Sequence, residues 1–435
     1  MSKAISFFWF RRDLRLHDNT ALFHALSSEN QVQAVFIFDT DILDKLEEKS
    51  DRRLVFIHEQ LKQINEKLKA QGATLLVEQG KPIEVWKKLT ENFSIKDVYV
   101  NRDYEPYALE RDKLVTEFLS EQNIKLNLYK DQVIFEKAEV SKEDGSPYIV
   151  FTPYSKRWKA QVNKNSFKTI ASEKLLDNFH KHISEGIPSL KEIGFNDLSS
   201  DFPEKKLDNL ILNNYETKRD LPAVNGTSKL SVHLRFGTLS IRELFRQAWS
   251  ISEKWINELI WREFYMSILW NFPHVVDRAF KPAYDRLEWL HDEEGFQAWC
   301  SGKTGYPIVD AGIRELNETG FMHNRVRMIT ATFLCKYLLI DWRWGEAYFA
   351  KKLLDFDLSA NNGGWQWCAG TGVDAAPYFR IFSMDSQTQR FDPKLEYIRR
   401  WIPEFGTEAY PKPIIDYGFA RKRCLSFYKQ GLAKE

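Results

Sequence analysis

Cysteine is scarce in this chain: four residues (Cys300, Cys335, Cys368, Cys424), scattered, with no C-x-x-C pair. That spacing argues against a disulfide framework and a zinc site, and it suits a reducing, cytoplasmic setting. Neither sign of charge is in excess, with 62 Lys and Arg against 61 Asp and Glu. A nucleic-acid partner would have to be met by local basic patches. No apolar run reaches the roughly 18 uncharged residues of a membrane span. Ala4–Phe10 is apolar, but Arg11, Arg12 and Asp13 follow at once with no small-residue cleavage site, so the segment reads as a buried strand and not as a signal peptide. Glycine (20) and proline (15) are modest, and there is no repeat or low-complexity tract. The chain is expected to fold throughout.

What is present divides the chain in two. With 435 residues, 43% of them hydrophobic, there is material for a large core and two or three domains. Over residues 1–130 short apolar runs alternate with amphipathic stretches, and strands are expected at Ala4–Phe10, Ala34–Phe38, Thr74–Val77, Asp97–Val100 and Lys125–Tyr129. Between them Leu54, Ile57, Leu61, Ile64 and Leu68 recur at helical spacing and mark a helix over Arg52–Gln71. The alternation implies an α/β domain, a Rossmann-like parallel sheet covered on both faces, although no G-x-G-x-x-G follows the first strand. Residues 131–200 lose that regularity and read as a long interdomain connector with some helix. Over 201–435 strands nearly vanish. Ser240–Trp249, Trp255–Trp270, Val309–Thr319, Asn324–Ile340 and Trp344–Leu354 carry helical periodicity, so an all-α domain is expected there.

Ten of the 14 tryptophans fall between Trp255 and Trp401. A large helical core explains any one of them, but the concentration also suits stacking on planar ligands or electron transfer between indoles. Four constellations lie in the same half. Gly226–Ser231, with Tyr215 and Arg219 upstream, places hydroxyls and amides at a turn entering a helix. That suits a phosphate, and a plain helix cap at Thr227 or Ser231 explains it equally. On a helix from Trp255 to Tyr265, the residues Glu258, Trp261, Arg262 and Tyr265 share one face; Glu258 and Arg262 make either an ordinary i,i+4 ion pair or, with the indole, a grip on a flat heterocycle. In Met322–Met328, Asn324 and Met328 lie on one face, Asn324 is placed to cap the following helix, and Arg325 and Arg327 read as a solvated edge. The most specific block is Asp355–Trp367, whose paired acids, asparagines, glycines and tryptophans are poor core material. On a helix Trp365 and Trp367 would point to opposite sides.

Taken in order, N-E-L-I-W-R-E-F-Y, M-H-N-R-V-R-M and N-N-G-G-W-Q-W, with F-F-W-F-R-R-D-L-R-L-H-D-N at the start and Y-F-R-I-F near the end, resemble the class I cyclobutane pyrimidine dimer photolyases of the photolyase/cryptochrome family. The resemblance runs the whole chain and implies an N-terminal domain able to hold an antenna dye and a helical domain holding FAD. It implies that Tyr215, Thr227, Ser228, Lys229, Leu230 and Ser231 meet the flavin phosphates and ribityl chain, and that Trp255 and Arg262 flank the cofactor. Asp355, Phe356 and Asp357 would hold its adenine-ribityl side, and Asn361 would sit against flavin N5. Glu258, Asn324, Met328, Trp261 and Trp367 would line the dimer pocket, while Arg219, Arg325, Arg380 and Gln387 would contact the DNA backbone. Trp365, Trp342 and Trp289 would form the chain of indoles that re-reduces photoexcited flavin. The implied activity is light-driven splitting of pyrimidine dimers in UV-damaged DNA, by a monomer, with no metal and no membrane.

Rival readings are discriminated by single positions. A (6-4) photolyase is expected to have histidines at Asn324 and Met328. A plant-type cryptochrome, a blue-light photoreceptor, is expected to have aspartate at Asn361 and usually a long tail, whereas this chain ends soon after Tyr428. From outside the family the competing reading is a flavin-free DNA-binding protein with an aromatic core. For the antenna, the positions that hold folate in relatives carry Glu47, Tyr107, Ala108, Val276 and Asp277, so folate is not expected. Tyr104–Tyr107 is more similar to deazaflavin-binding relatives, although Phe38, Tyr104 and Tyr107 are equally ordinary packing or surface aromatics. The antenna site is expected to be empty or to take a deazaflavin.

Overall fold

This computed structural model describes residues 4–184 and 186–433. The N-terminal α/β region holds one parallel sheet of β1 (Ile5–Phe10), β2 (Val32–Asp39), β3 (Leu76–Gly80), β4 (Ile95–Asn101) and β5 (Lys125–Tyr129), in the order β3-β2-β1-β4-β5. Each strand falls where the apolar runs placed it, but β3 starts later, because the amide of Leu75 is bound to Asn65 Oδ1 at 2.9 Å and the ladder opens only at Leu76. Every residue of β1 and β2 is buried, as a sheet covered by helices on both faces requires. On one face Phe7, Trp9, Val35, Val98 and Leu126 pack with Trp86 and Leu119 from two of the crossover helices.

The arginines after β1 explain the charged opening segment. Arg11 binds Asp112 at 2.5 Å, Arg12 reaches Asp103 at 3.1 Å and Glu105 at 2.8 Å, and Arg15 meets Asp131 at 2.6 Å. Each guanidinium is largely buried, and its carboxylate offsets the cost of taking the charge out of water.

The chain forms two compact units that interleave in sequence. One takes in the chain up to Glu136, then Gln161–Leu207 and Lys229–Trp249; the other takes in Lys137–Ala160, Asp208–Ser228 and the chain from Ser250. The second unit is helical. Its core gathers Trp299, Ile313, Leu316, Val326, Leu334 and Trp365, each buried. The long helix expected over Asn324–Ile340 is broken: an α-helix runs Asn324–Thr332, a π-helical turn follows over Phe333–Leu338, and Leu339 turns left-handed at φ 56°. Ile340 then pairs with Leu290, and a new helix, Trp342–Lys352, starts on the side chain of Asp341. Among the described residues no helix is long and apolar enough to cross a membrane, and no cluster of His, Cys, Asp or Glu is arranged to hold a metal ion.

Candidate functional site

The helix Glu253–Asn271 begins on Ser252, whose hydroxyl accepts from the amide of Trp255. One of its faces is buried through Leu259, Ile260 and Phe264; the other carries Glu258, Trp261, Arg262 and Tyr265, all half-buried. Trp255 is buried and its indole N–H donates to Ser228 Oγ at 3.2 Å, which joins two residues expected at the cofactor. Glu258 is ion-paired with Arg219, which ends the helix Asn209–Lys218 and also lies over the Tyr215 ring at 5.5 Å. Burial raises the Glu258 pKa, and the Arg219 charge opposes that rise. Asp220, the next residue, holds Arg325 at 2.8 and 3.2 Å. The Arg325 guanidinium caps the Phe391 ring at 4.5 Å and lies 3.6 Å from the Met328 sulfur.

His323, not Asn324, caps the helix that follows: its Nδ1 accepts from the amide of Arg325 at 3.1 Å. Burial pushes the imidazole down to about 4, so at neutral pH that nitrogen keeps its lone pair. Asn324 becomes the first helical residue and is exposed. One turn on, Arg327 makes a two-pronged bond to the buried Asp355, at 3.1 and 2.9 Å. Phe356 packs at the edge of the helical core. Asp357 caps the helix Leu358–Ala369, accepting from the amide of Ala360 at 3.3 Å and the Ser359 hydroxyl at 2.5 Å.

That helix carries N-N-G-G-W-Q-W, and its residues divide between two tasks. Asn362 donates to the carbonyl of Val275 at 2.7 Å, and Gln366 donates to Val275 and Arg278 and accepts from the amide of Phe280, so this pair latches the loop 275–280. Asn361 and Trp367 are half-buried on other faces, and Trp365 is buried on the side opposite Trp367. A side chain at Gly345, one turn from Trp342, would collide with the Trp365 ring, so the indole lies directly on the helix that bears Trp342. Leu290, next to Trp289, donates to Leu339 at 2.9 Å, which ties Trp289 beside the segment leading into Trp342. Trp289 itself packs on Phe427 and Tyr428.

Of the remaining expected residues, Arg380 is exposed and Gln387 is half-buried on the helix Met384–Phe391. Thr227 lies in the turn after Gly226. Lys229, Leu230 and Ser231 fall in the first unit: Lys229 is exposed at φ 52°, Leu230 is buried, and Ser231 opens the helix Ser231–Arg235. Leu230 stands at the cap position with no side-chain bond, so capping is not what Ser231 does. Of the antenna aromatics, Phe38 is buried, Tyr104 donates to Glu136 at 2.7 Å, and Tyr107 donates to Asp39 at 2.5 Å.

Three residues escaped the sequence reading. Glu346 accepts from Asn361; its signal was a lone acid inside the aromatic run W-R-W-G-E-A-Y-F. Asp220, which flanks both Arg219 and Arg325, left no periodic mark. Phe151 stacks on Trp261 with ring centres 3.7 Å apart and planes within 5°, and nothing in the connector sequence announces it.

Residues 6–172 match the family model described as DNA photolyase, and residues 255–408 match that described as FAD binding domain of DNA photolyase. The deoxyribodipyrimidine photo-lyase of Alkalihalophilus pseudofirmus is 36% identical over 98% of both chains. The chain belongs to the photolyase/cryptochrome family. Among solved structures, a bacterial class III photolyase from Agrobacterium tumefaciens superimposes with a TM-score of 0.88 at 31% identity, covering 99% of this chain and 98% of that one. An archaeal photolyase from Sulfolobus tokodaii with two FAD molecules superimposes with a TM-score of 0.81 at 33% identity, covering 98% and 99%.

The second unit therefore contains the family's FAD-binding domain, and its residues fit the cofactor. Although Leu358–Ala369 is packed among other helices, a Cβ at Gly364 would meet nothing within 4 Å, so open space lies beside the helix one turn after Asn361. Asn257 Oδ1, one residue before Glu258, is buried with no hydrogen-bond partner. The space gives room for a bound group, and the unpartnered oxygen, a separate feature, would accept from a donor on one.

Proposed function

We propose that this chain is a light-driven DNA repair enzyme that splits cyclobutane pyrimidine dimers, of the class I type. The observation that carries the reading is the half-buried face of Glu258 and Trp261, with Arg219 paired to the carboxylate, on the helix that opens the FAD-binding domain. The full-length likeness to named photo-lyases supports it, and Asn324 and Met328 in place of histidines favour the cyclobutane over the (6-4) lesion.

Bound in its reduced form, FAD supplies the single electron to the dimer on blue-light excitation. The chain's own residues do the rest. Tyr215, Thr227 to Ser231, Trp255, Arg262 and Asp355 to Asp357 hold the cofactor; Arg327 keeps the Asp355 carboxylate in one orientation. Photolyases as a class take the damaged dinucleotide out of the stack, and weakened stacking at a lesion lowers that cost of a few kcal/mol. Arg219, Arg325, Arg380 and Gln387 meet phosphates, which supplies affinity without base identity. Asn324, Met328, Trp261 and Trp367 line the pocket. Glu258 holds its proton to higher pH than an ordinary glutamate because it is buried, and in that form it donates to a pyrimidine carbonyl as negative charge arrives there. Trp289, Trp342 and Trp365 return electrons to oxidised flavin. The antenna site takes a deazaflavin or nothing.

The deciding experiment is repair of defined oligonucleotides under blue light. Thymine dimers should disappear and (6-4) products should not. Activity confined to (6-4) products, or flavin photochemistry without repair, would reverse the assignment.

A further inference from the structure

We propose that Phe151 is a positioning residue for Trp261: it covers one face of the indole and leaves the other ordered and open for the flipped-out lesion. The inference deepens the reading of this chain as a dimer-splitting enzyme and rests on the place that reading gives Trp261 in the pocket. Phe151 lies on Trp261 with ring centres 3.7 Å apart and planes within 5°. Phe264 meets the same indole edge-on, at 81°, and Tyr265 is tilted from it by 31°. Among the described residues Phe151 is therefore the one ring parallel to Trp261.

What holds Phe151 there is the helix it opens, Phe151–Gln161. Phe151, Tyr154 and Trp158 recur at three- and four-residue spacing, which puts them on one face of that helix. Each reaches the helix Glu253–Asn271. Trp158 is fully buried and donates to Glu263, itself buried, at 2.6 Å. The buried Tyr154 ring packs on Phe264 with centres 5.2 Å apart. At the open end the amide of Phe151, one of the N–H groups a helix start leaves free, donates to the Asp374 carboxylate at 3.1 Å. Swinging this helix aside would strip a buried carboxylate of its indole donor, which is costly. Phe151 is thus a fixed wall behind the indole and not a lid that a base must expel.

A fixed wall has two effects on Trp261. The indole is half-buried, and a side chain free to change rotamer there would have to be ordered when the lesion arrives, at a cost in affinity. Stacking on Phe151 orders it beforehand. With one face covered, the indole also cannot slide between two stacked bases. It meets a base only when that base has been brought out to its open face. Undamaged duplex, whose bases stay stacked, makes no use of it. Phe151 therefore acts on lesion affinity and on preference for the lesion, and it does so through Trp261.

The test is binding of the full-length holoenzyme, in the dark, to a duplex with one thymine dimer and to the same duplex undamaged. Phe151→Ala should lose roughly two- to tenfold in affinity for the dimer, with affinity for undamaged duplex and flavin content retained. Phe151→Tyr should keep the wild-type preference, and Phe151→Leu, which fills space without a flat face, should not. In a Trp261→Ala background, Phe151→Ala should change lesion affinity by less than about twofold, because the wall has nothing left to position. Unchanged dimer affinity in Phe151→Ala, full affinity with leucine, or losses that simply add in the double variant overturn the proposal while the repair reading stands. Should the alanine variant fail to fold, the contrast between leucine and tyrosine decides. Wild-type dimer affinity in Trp261→Ala takes the indole out of the pocket and overturns both the proposal and the placing of Trp261 on which it rests.

Discussion

Asn361 donates its side-chain amide to Glu346 twice over, to the carboxylate at 2.8 Å and to the backbone carbonyl at 3.1 Å. With both amide hydrogens engaged, the oxygen of Asn361 is the atom left to face the flavin edge proposed beside it. Glu346 thus acts as a positioning residue.

Burial raises the Glu346 pKa, and the Asn361 bond opposes that rise only in part. Between the ordinary and the raised value the folded chain binds more protons than the unfolded one, so stability falls as pH climbs through that window. Glu346→Gln keeps an acceptor for Asn361 without the charge. Its thermal stability should match the wild type below the ordinary glutamate pKa and exceed it, by on the order of 1 kcal/mol, at pH 8. Calorimetry at both pH values checks this; equal curves at pH 8 would show that the carboxylate is not under strain. Glu346→Leu should retain flavin but shorten the lifetime of its reduced form in air, because the amide loses its orientation.

Glu258 offers a second titration with the same sign. As its pKa is raised, the proton it lends is present below the raised value and lost above it. Repair yield per photon should fall as pH rises through that value. Glu258→Gln, which donates at every pH, should flatten the profile, and Glu258→Ala should lower the yield severalfold while keeping FAD. If Glu258→Ala instead released the flavin or unfolded the chain, its task would be to hold the structure.

Much of this was legible beforehand. Short apolar runs and period-3.6 patterns located the sheet and several of the helices, because strands buried on both faces read as unbroken apolar runs and helices with one apolar stripe repeat at helical spacing. The break at Phe333–Leu338 was invisible, since its residues are as apolar as a straight helix would need and only packing selects the π-turn. Within the functional motifs, residue types were readable but partners were not. Nothing local says that Glu258 pairs with Arg219, or that Asn362 and Gln366 serve a loop while Asn361 serves Glu346. Those choices join positions far apart in sequence. The cap of Asn324–Thr332 passed to His323 because burial keeps that ring neutral and accepting, which residue type alone does not reveal.

The indoles make a kinetic prediction. Trp365 is buried with its N–H unpartnered, so Trp365→Phe removes an unsatisfied donor and leaves only a small cavity. The protein should fold and bind FAD. Photoreduction of oxidised flavin should slow strongly in Trp365→Phe, Trp342→Phe and Trp289→Phe. Repair by chemically pre-reduced enzyme should be nearly unaffected, because the indoles recharge the cofactor and stand apart from ring splitting. Transient absorption and a single-turnover repair assay separate the two, and parallel loss of both would reduce these tryptophans to packing.

Asp220 sits between Arg325, at 2.8 Å, and Arg219, at 3.9 Å, so two of the three guanidiniums expected on the DNA backbone are partly neutralised before DNA arrives. A phosphate must compete with that carboxylate. Asp220→Asn should therefore tighten binding to damaged and undamaged duplexes alike, steepen the salt dependence, and reduce the preference for the lesion, since phosphate contacts carry no base identity. Arg325→Ala should act in the opposite sense, weakening binding uniformly and lowering the log–log salt slope by about 1. Fluorescence anisotropy across a potassium chloride series measures both. An Asp220→Asn variant with unchanged slope but lower melting temperature would place Asp220 in the fold and remove it from control of DNA affinity.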